Sequence, residues 1–210
     1  MMIGQFKLPL LFIGKAVNPR WMREETRQNY LYYSQISSWM DQDIWADWFE
    51  NQYVVMVEGY LKANNLPLQS ILFCDNCSPH METLSSKNGN HIVLYLPPNT
   101  TGFIQPMDQE VIAVLKLLFE KKYHEEYFLW RDKQPAESNT YEIFASGTNT
   151  NFAIETYIKC WNEISVRNLQ RAWEPILTPF AESLEMELSD IQNTPPPKRR
   201  EEEKKEEEEV

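Results

Sequence analysis

Cysteine is scarce in this sequence, since only Cys74, Cys77 and Cys160 occur among its 210 residues. Three thiols are too few for a disulfide-stabilised scaffold and are typical of proteins in a reducing compartment. Long hydrophobic runs are scarce as well. The apolar run at residues 8–13 is too short for a transmembrane helix and lacks a signal-peptide cleavage pattern. We therefore expect an intracellular protein with no membrane partner.

Basic residues are outnumbered by acidic ones. The chain has 20 Lys and Arg against 31 Asp and Glu, which gives a formal net charge of -11. The segment from Lys198 to Val210 holds five basic and seven acidic residues, so residues 1–197 still carry -9. Proteins that grip DNA through its phosphates usually carry an excess of positive charge. DNA binding by this stretch alone is therefore expected to be weak.

The composition is otherwise that of a globular, aromatic-rich protein. Hydrophobic residues make up 42% of the chain and aromatic residues 13%, which is enough to bury a core at this length. One domain is expected over residues 1–187. Beyond it the sequence changes to prolines followed by Lys, Arg and Glu, which predicts a disordered charged tail over residues 188–210.

Short apolar runs alternate with longer amphipathic ones, and this pattern predicts an α/β fold. Asp41 or Asp43 is expected to cap the first long helix. The polar stretch 131–150 is expected to be a surface loop. Strands are predicted at residues 6–13, 30–33, 70–74 and 91–96. Helices are predicted at residues 41–61, 107–130, 151–164 and 166–177.

Two carboxylates stand at positions that suit a metal site. Asp75 directly follows the apolar run 70–74, and Asp108 opens a helical pattern just after Pro106. The ends of strands are where open α/β sheets present functional side chains. Two acids brought together there can bind a divalent metal ion. The alternatives are that Asp75 caps a turn and that Asp108 is a first-turn acid favoured by the helix dipole.

The cysteines open a further alternative. Cys74 and Cys77 form a C-x-x-C pair, and His80 follows three residues later. A zinc site would need a fourth ligand, and Cys160 is distant in sequence. A thioredoxin-like redox pair also follows a strand. Cys74 stands where the strand requires an apolar residue, so we favour burial over metal binding or redox chemistry.

Four sequence motifs carry a family resemblance. They are GKAVNPR at residues 14–20, LFCDNCSPH at 72–80, LPPNTTGFIQPMDQ at 96–109 and WNEIS at 161–165. Together they resemble the DDE superfamily endonuclease domain of the pogo/Tigger/jerky transposases and transposase-derived proteins, which include centromere protein B. The likeness extends over residues 4–179. It implies an RNase H-like mixed sheet flanked by helices, with a helical C-terminal extension.

The resemblance also implies a catalytic site. Family members hold two Mg²⁺ ions with three carboxylates, and Asp75 matches the second and Asp108 the third; Mn²⁺ is an alternative ion. Glu110 stands where many relatives have glycine, and we expect it to face away from Asp108 on a regular helix. His80 matches a motif position, where it either holds the loop after Asp75 or has a purely structural role.

The family's first carboxylate lies on a strand that precedes the one predicted at residues 6–13. Residues 1–7 contain no motif that could carry this carboxylate. We therefore expect that strand, and the DNA-binding region of full-length relatives, to be missing. A sheet without its first strand would be prone to self-association.

Two classes of function remain open. One is a Mg²⁺-dependent DNA endonuclease or transposase that uses Asp75 and Asp108. The other is a domain that keeps the fold, associates with nucleic acid or protein partners, and has impaired catalysis. The resemblance implies a nuclear protein, and the basic run at residues 198–200 is either part of an import signal or a solvated charge run.

Overall fold

A computed structural model describes residues 5–75, 85–135 and 140–193. The chain divides into two compact units, Met1–Trp173 and Glu174–Val210. In chain order the described elements are β1 (Leu11–Gly14), α1 (Glu24–Arg27), β2 (Leu31–Ser34), α2 (Gln42–Trp48), α3 (Val54–Ala63), β3 (Ser70–Cys74), β4 (His91–Tyr95), α4 (Thr101–Ile104), α5 (Ile112–Arg131), α6 (Thr140–Gly147), α7 (Thr150–Glu163) and α8 (Val166–Asn193), with a π-helical turn at Phe49–Tyr53 and a kinked segment at Met107–Val111.

The described strands form two parallel pairs. β1 pairs with β2 in a register that sets Gly14 opposite Ser34, and β3 pairs with β4 in a register that sets Cys74 opposite Tyr95. Parallel strands need a crossover connection, here residues 15–30 and 75–90. The two carboxyl ends of each pair therefore meet at one edge. The predicted α/β class is confirmed in this form, as short parallel pairs with several helices.

The first strand begins later than the sequence predicts. A strand was expected from residue 6, whereas β1 starts at Leu11. Pro9 has no N–H to donate to a strand ladder, and this favours a start beyond it. The residues before Pro9 pack on the core instead, since Phe6 and Leu8 contact its buried side chains.

The segment before β1 is held at the end of α7 by Lys7. Its Nζ donates to the backbone carbonyls of Trp161, Asn162 and Ile164 at 2.8, 3.1 and 3.1 Å. Trp161 Nε1 returns a hydrogen bond to the Leu8 carbonyl at 2.8 Å. The last carbonyls of a helix have no intrahelical partner and carry partial negative charge. The ammonium group satisfies them and ties the two ends of the first unit together.

An aromatic core lies between the second strand pair and the helices that precede it. The predicted helix over residues 41–61 is confirmed in position but is interrupted by the π-helical turn. Asp41 is its N-cap, as predicted, because its Oδ1 accepts the Ile44 N–H at 2.9 Å. Burying each large side chain is worth about 1.5–3 kcal/mol. The buried cluster consists of Trp45, Phe49, Tyr53, Val54, Val57, Cys74 and Val93.

A second buried cluster joins α5, α7 and the start of α8. Its members are Val111, Ile164, Leu169 and Ala172. They come from the predicted helical stretches 107–130, 151–164 and 166–177, whose apolar faces therefore pack as the sequence periodicity indicates.

The loop predicted over residues 131–150 is wrong in its second half, where α6 forms. Phe144 is buried, and its ring centroid lies 5.3, 5.5 and 5.6 Å from those of Tyr123, Tyr127 and Trp130. The three rings around Phe144 belong to α5. α6 is therefore stabilised by packing that the polar local sequence does not reveal.

The last described helix extends beyond its predicted end at residue 177. α8 continues to Asn193 with Pro175 and Pro179 inside it, although each proline removes an intrahelical hydrogen bond. Residues 188–193, expected in the disordered tail, are helical, and residues 194–210 lie outside the described part. The domain boundary at residue 187 stays a prediction. Among the described helices, none has the length and apolar character needed to cross a bilayer.

Candidate metal-binding edge of the second strand pair

Asp75 stands immediately beyond the carboxyl end of β3. The strand end is fixed by the pairing of Cys74 with Tyr95 and by the Leu96 N–H, which donates to the Cys74 carbonyl at 2.8 Å. Cys74 is 7% exposed, whereas Asp75 is partly exposed. The chain changes from buried to accessible at this residue, so the strand presents the carboxylate at the sheet edge.

Asp108 lies on the segment that continues from β4. Its N–H donates to the Gln105 carbonyl at 3.0 Å, and the buried Pro106 lies within that turn. Gln109 Nε2 donates to the Gly102 carbonyl at 3.1 Å, which ties the segment to α4. The Asp108 side chain is exposed. A compact, internally bonded segment therefore carries this second carboxylate.

The backbone beyond Asp108 departs from the regular helix that the sequence predicts. Gln109 (φ -81°, ψ 75°) and Glu110 (φ 66°, ψ -20°) both lie outside helical values, so the backbone is kinked within Met107–Val111. We expected Glu110 to face away from Asp108 because we assumed a regular helix. That assumption is wrong, since the backbone at Gln109 and Glu110 is not helical. A left-handed backbone costs a residue with a Cβ about 1–2 kcal/mol, a cost that glycine does not incur.

Asp75 directly follows β3, whereas Asp108 is separated from the end of β4 by α4. Their convergence on one ion stays a prediction. Within residues 5–75, 85–135 and 140–193, no three His, Cys, Asp or Glu side chains form a cluster that could hold a metal ion. The two other motif residues considered from sequence, Cys77 and His80, lie outside the described residues.

The acids near the start of α2 have other roles. Asp41 caps the helix, and Asp43 is exposed in its first turn. Asp47 accepts the Tyr33 hydroxyl at 2.6 Å and the Asn51 side-chain amide at 2.7 Å. The hydrogen bond from Tyr33, followed by that from Asn51, lowers the Asp47 pKa.

The Cys74 thiol is inert by its surroundings. Burial, assisted by the negative charge of Asp75, raises the pKa of Cys74 to about 12. Nucleophilic and metal-binding cysteines act as thiolates, and this thiol stays protonated at neutral pH. The predicted burial of Cys74 is therefore confirmed, and the absence of redox or zinc chemistry stays a prediction.

A polar network that sequence reasoning missed lies at the opposite end of the same strand pair. His91, the first residue of β4, is 0% exposed. Its Nδ1 lies 2.8 Å from Ser70 Oγ, which lies 3.0 Å from the Tyr53 hydroxyl. Its Nε2 lies 3.4 Å from Glu58 Oε1, and Glu58 Oε2 forms an ion pair with Lys62 at 2.7 Å.

The direction of these hydrogen bonds follows from the partners. An ionised Glu58 can only accept, so His91 Nε2 carries the proton and donates to it. With the proton on Nε2, Nδ1 accepts the Ser70 hydroxyl proton, and Ser70 accepts from Tyr53. Both ring nitrogens are satisfied inside the protein, which favours a structural role. The sequence signal for this network is that Ser70 and His91 each begin a predicted strand, and the structure pairs these two residues.

Short parallel strand pairs, several helices and a carboxylate just beyond the end of β3 are compatible with a DDE nuclease-like α/β domain. The sequence matches the DDE superfamily endonuclease family over residues 1–173, so the chain belongs to that family. The family resemblance noted in the motifs is thereby confirmed.

The similar curated proteins carry Tigger and Jerky names. Tigger transposable element-derived protein 7 from Homo sapiens is 28% identical over 184 residues, which cover 83% of this chain and 34% of that protein. The Jerky protein of Mus musculus is 26% identical over 175 residues, which cover 82% and 29%. The Homo sapiens Jerky protein homolog is 28% identical over 110 residues, which cover 51% and 20%.

This chain therefore spans about a third or less of the length of these relatives. No solved structure gives a significant match to it.

Proposed function

We propose that this chain is a nucleic-acid-associated, RNase H-like domain of the DDE type in which Asp75 and Asp108 hold a divalent metal ion. The observation that carries the proposal is that the motif-matched Asp75 directly follows β3, at the edge shared with the carboxyl end of β4, while the motif-matched Asp108 lies further along the chain, beyond α4. The name of one relative, a transposable element-derived protein, adds support for an origin in transposition chemistry.

The donor set suits Mg²⁺ or Mn²⁺. Carboxylate oxygens are the ligands that these ions prefer. Asp75 is partly exposed and Asp108 is exposed, so neither is shielded from a hydrated ion. When bound, such an ion polarises phosphoryl oxygens and lowers the pKa of a coordinated water. The contribution of the chain is to hold Asp75 through the strand register and Asp108 through the turn at Gln105.

DNA cleavage by residues 1–210 alone is expected to be impaired. The family's site uses three carboxylates, and the motif matches in this stretch account for the second and third. Two-metal catalysis clamps the attacking and leaving oxygens between ions about 3.5–4 Å apart, which two carboxylates support poorly. The alternatives are an active Mg²⁺-dependent endonuclease and a domesticated protein-interaction module. A nuclear location fits all three.

The metal site is tested by Mn²⁺ titration monitored by electron paramagnetic resonance. Asp75→Asn and Asp108→Asn should each weaken Mn²⁺ binding by at least roughly tenfold, since even indirect supports of a metal site are worth that much. Asp43→Asn removes an exposed helix-start acid and should leave binding unchanged. Equal binding by all three variants would overturn the site assignment.

Catalytic impairment is tested by nicking of supercoiled plasmid with Mg²⁺ or Mn²⁺. The wild-type chain should give no nicking above the metal-only control. Metal-dependent nicking that disappears in Asp75→Asn would overturn the impairment and favour the active endonuclease.

Binding to duplex DNA is expected to be weak, because the net charge of -11 allows few phosphates to be neutralised. A titration at ~0.15 M ionic strength measures this. Submicromolar, sequence-selective affinity would contradict the expectation.

A further inference from the structure

The carboxyl end of β1 opens into a cavity of about 470 Å³, named here the aromatic pocket. Gly14, Trp21, Tyr32 and Tyr157 contribute to its wall, together with Lys15. Its volume lies within the range of about 300–1,000 Å³ that is usual for small-ligand sites. Neither Asp75 nor Asp108 lines it, so the proposed metal site leaves this pocket unexplained.

The rings of the aromatic pocket are held in fixed orientations. Trp21 meets Tyr32 edge to face, with centroids 5.7 Å apart at 81°. The Tyr32 hydroxyl donates to the Ala16 carbonyl at 2.7 Å. Tyr157 stacks on Phe119 at 4.2 Å and 18°, a contact that uses one face of its ring. Preoriented rings lose little conformational entropy when a planar ligand binds.

Positive charge is concentrated in the crossover that leads away from this pocket. Residues 15–27 contain four basic and two acidic side chains, a net of +2 in a chain of -11. Lys15, Arg20, Arg23 and Arg27 are all exposed. Lys15 itself lines the pocket, so part of this charge lies at the pocket wall. The local charge is therefore opposite to that of the whole molecule.

We infer that the aromatic pocket receives an unpaired base of a single-stranded nucleic acid, with Lys15 and Arg20 against the flanking phosphates. Aromatic rings beside a basic track are the combination by which proteins bind single strands, since every base has a π-face and every nucleotide a phosphate. The inference rests on the proposed function only for the class of partner, a nucleic acid.

The concave shape selects a single strand over a duplex. A base inside a duplex is already stacked on its neighbours and cannot enter a pocket without unpairing, which costs a few kcal/mol. Contacts to duplex phosphates would need only the exposed cations. An aromatic cavity next to those cations adds a stacking surface that only an unpaired base can reach.

The inference is tested by fluorescence anisotropy with a labelled oligothymidylate and an abasic oligomer of equal length. The abasic oligomer keeps the phosphates and removes the bases. Stacking is worth about 1–3 kcal/mol per base, so the wild-type chain should bind the oligothymidylate roughly 5- to 150-fold more tightly. Equal affinity for both oligomers would overturn the inference.

Substitutions then identify the pocket. Trp21→Leu should abolish the preference for the base-bearing oligomer, and Trp21→Phe, which keeps a ring, should restore part of it. Trp130→Leu removes a tryptophan from the separate ring cluster around Phe144 and should leave the preference intact. Lys15→Gln should weaken both oligomers equally and flatten the salt dependence. A preference that survives Trp21→Leu would overturn the inference.

The same preparations separate this inference from the proposed metal site. Mn²⁺ binding that depends on Asp75, with no preference for bases, would overturn the aromatic pocket alone. A Trp21-dependent preference for bases, with Mn²⁺ binding unaffected by Asp75→Asn, would overturn the metal site alone. Circular dichroism of each variant confirms that it is folded before either result is scored.

Discussion

The two strand pairs share a topology and differ in the chemistry at their carboxyl edges. Both are parallel and both are joined by a crossover. β1 ends in Gly14 and passes into Lys15 and a basic crossover, whereas β3 ends in Cys74 and passes into Asp75. The difference arises in the first residue after each strand. The same backbone arrangement therefore presents a basic residue at one edge and an acidic residue at the other.

The pairs also differ in what holds them together. The second pair is anchored at its start by the buried His91 network. The first pair is anchored by aromatic packing, with Phe12 edge to face against the buried Tyr30 at 5.6 Å. A polar anchor weakens when one partner is removed, because hydrogen bonds inside the protein are lost. An aromatic anchor fails when its fit is disturbed.

Removing the polar anchor should have the largest effect. His91→Leu replaces a fully buried, hydrogen-bonded ring with an apolar side chain and removes the ring partner of Ser70 Oγ, and breaking such a buried hydrogen bond costs about 1–3 kcal/mol. We expect the free energy of unfolding in urea to fall by about 3 kcal/mol. His124→Leu, at an exposed helical position, should change it by less than about 0.5 kcal/mol. Similar losses in both variants would contradict the role given to His91.

Disturbing the fit in the first pair should cost somewhat less. A Cβ on Gly14 would overlap the Tyr32 hydroxyl, so Gly14→Ala should lower the free energy of unfolding by about 1–3 kcal/mol. Gly59 is an exposed helical glycine with nothing near its Cβ position, and Gly59→Ala should raise it by about 0.5–1 kcal/mol. Stabilisation by both alanines would show that Tyr32 is not fixed.

Relieving the strained backbone after β4 should stabilise the second pair's edge. Glu110→Gly removes a left-handed backbone strain of about 1–2 kcal/mol. It also raises the conformational entropy of the unfolded chain, which costs about 0.5–1 kcal/mol of stability. The free energy of unfolding, measured by thermal denaturation, should therefore rise by about 0.5–1 kcal/mol. Glu120→Gly, in regular α5, should instead cost about 1 kcal/mol. Losses of equal size would mean that Glu110 is not strained in solution.

The acid dependence of stability should report on the His91 network. Lys62, followed by His91, lowers the Glu58 pKa below its ordinary value of 4.5. A carboxylate of this kind stabilises the folded state above its unfolded pKa, and the contribution is lost as pH falls through the folded pKa. Below about pH 4.5, wild-type stability should therefore fall more steeply than that of Glu58→Gln. Parallel urea-unfolding curves across this range would contradict the contacts of Glu58.

The smallest effect is expected from the charged tail. Deleting residues 188–210 should leave the melting temperature unchanged, because a proline-interrupted charged segment has little apolar surface to bury. A fall of several degrees in differential scanning calorimetry would show that one of the strand pairs or its helices depends on the tail.

Elements whose signals are local could be predicted from the sequence. β3 and β4 lie where the apolar runs predict them, since Asp75 and Pro97 end those runs. Asp41 caps its helix because capping needs only the next few residues. For the candidate site, sequence predicted correctly that Asp75 ends a strand. It did not predict the irregular backbone at Glu110.

Features that depend on distant parts of the chain could not be predicted in this way. α6 depends on Tyr123 and Tyr127 of α5 to bury Phe144. The His91 network draws on Glu58 and Ser70, which precede it by 33 and 21 residues. Polar residues in such networks look like surface residues until the strands that carry them are paired.

The contacts of Lys7 impose a time order on folding. Its carbonyl partners follow it by 154, 155 and 157 residues. At synthesis rates of about 5–20 residues per second, the segment before β1 waits about 8–30 s before those carbonyls exist. Contacts of such long sequence separation also form slowly. The segment before β1 is therefore among the last parts to be secured, and a nascent chain that stops before α7 would leave its first strand pair without this anchor.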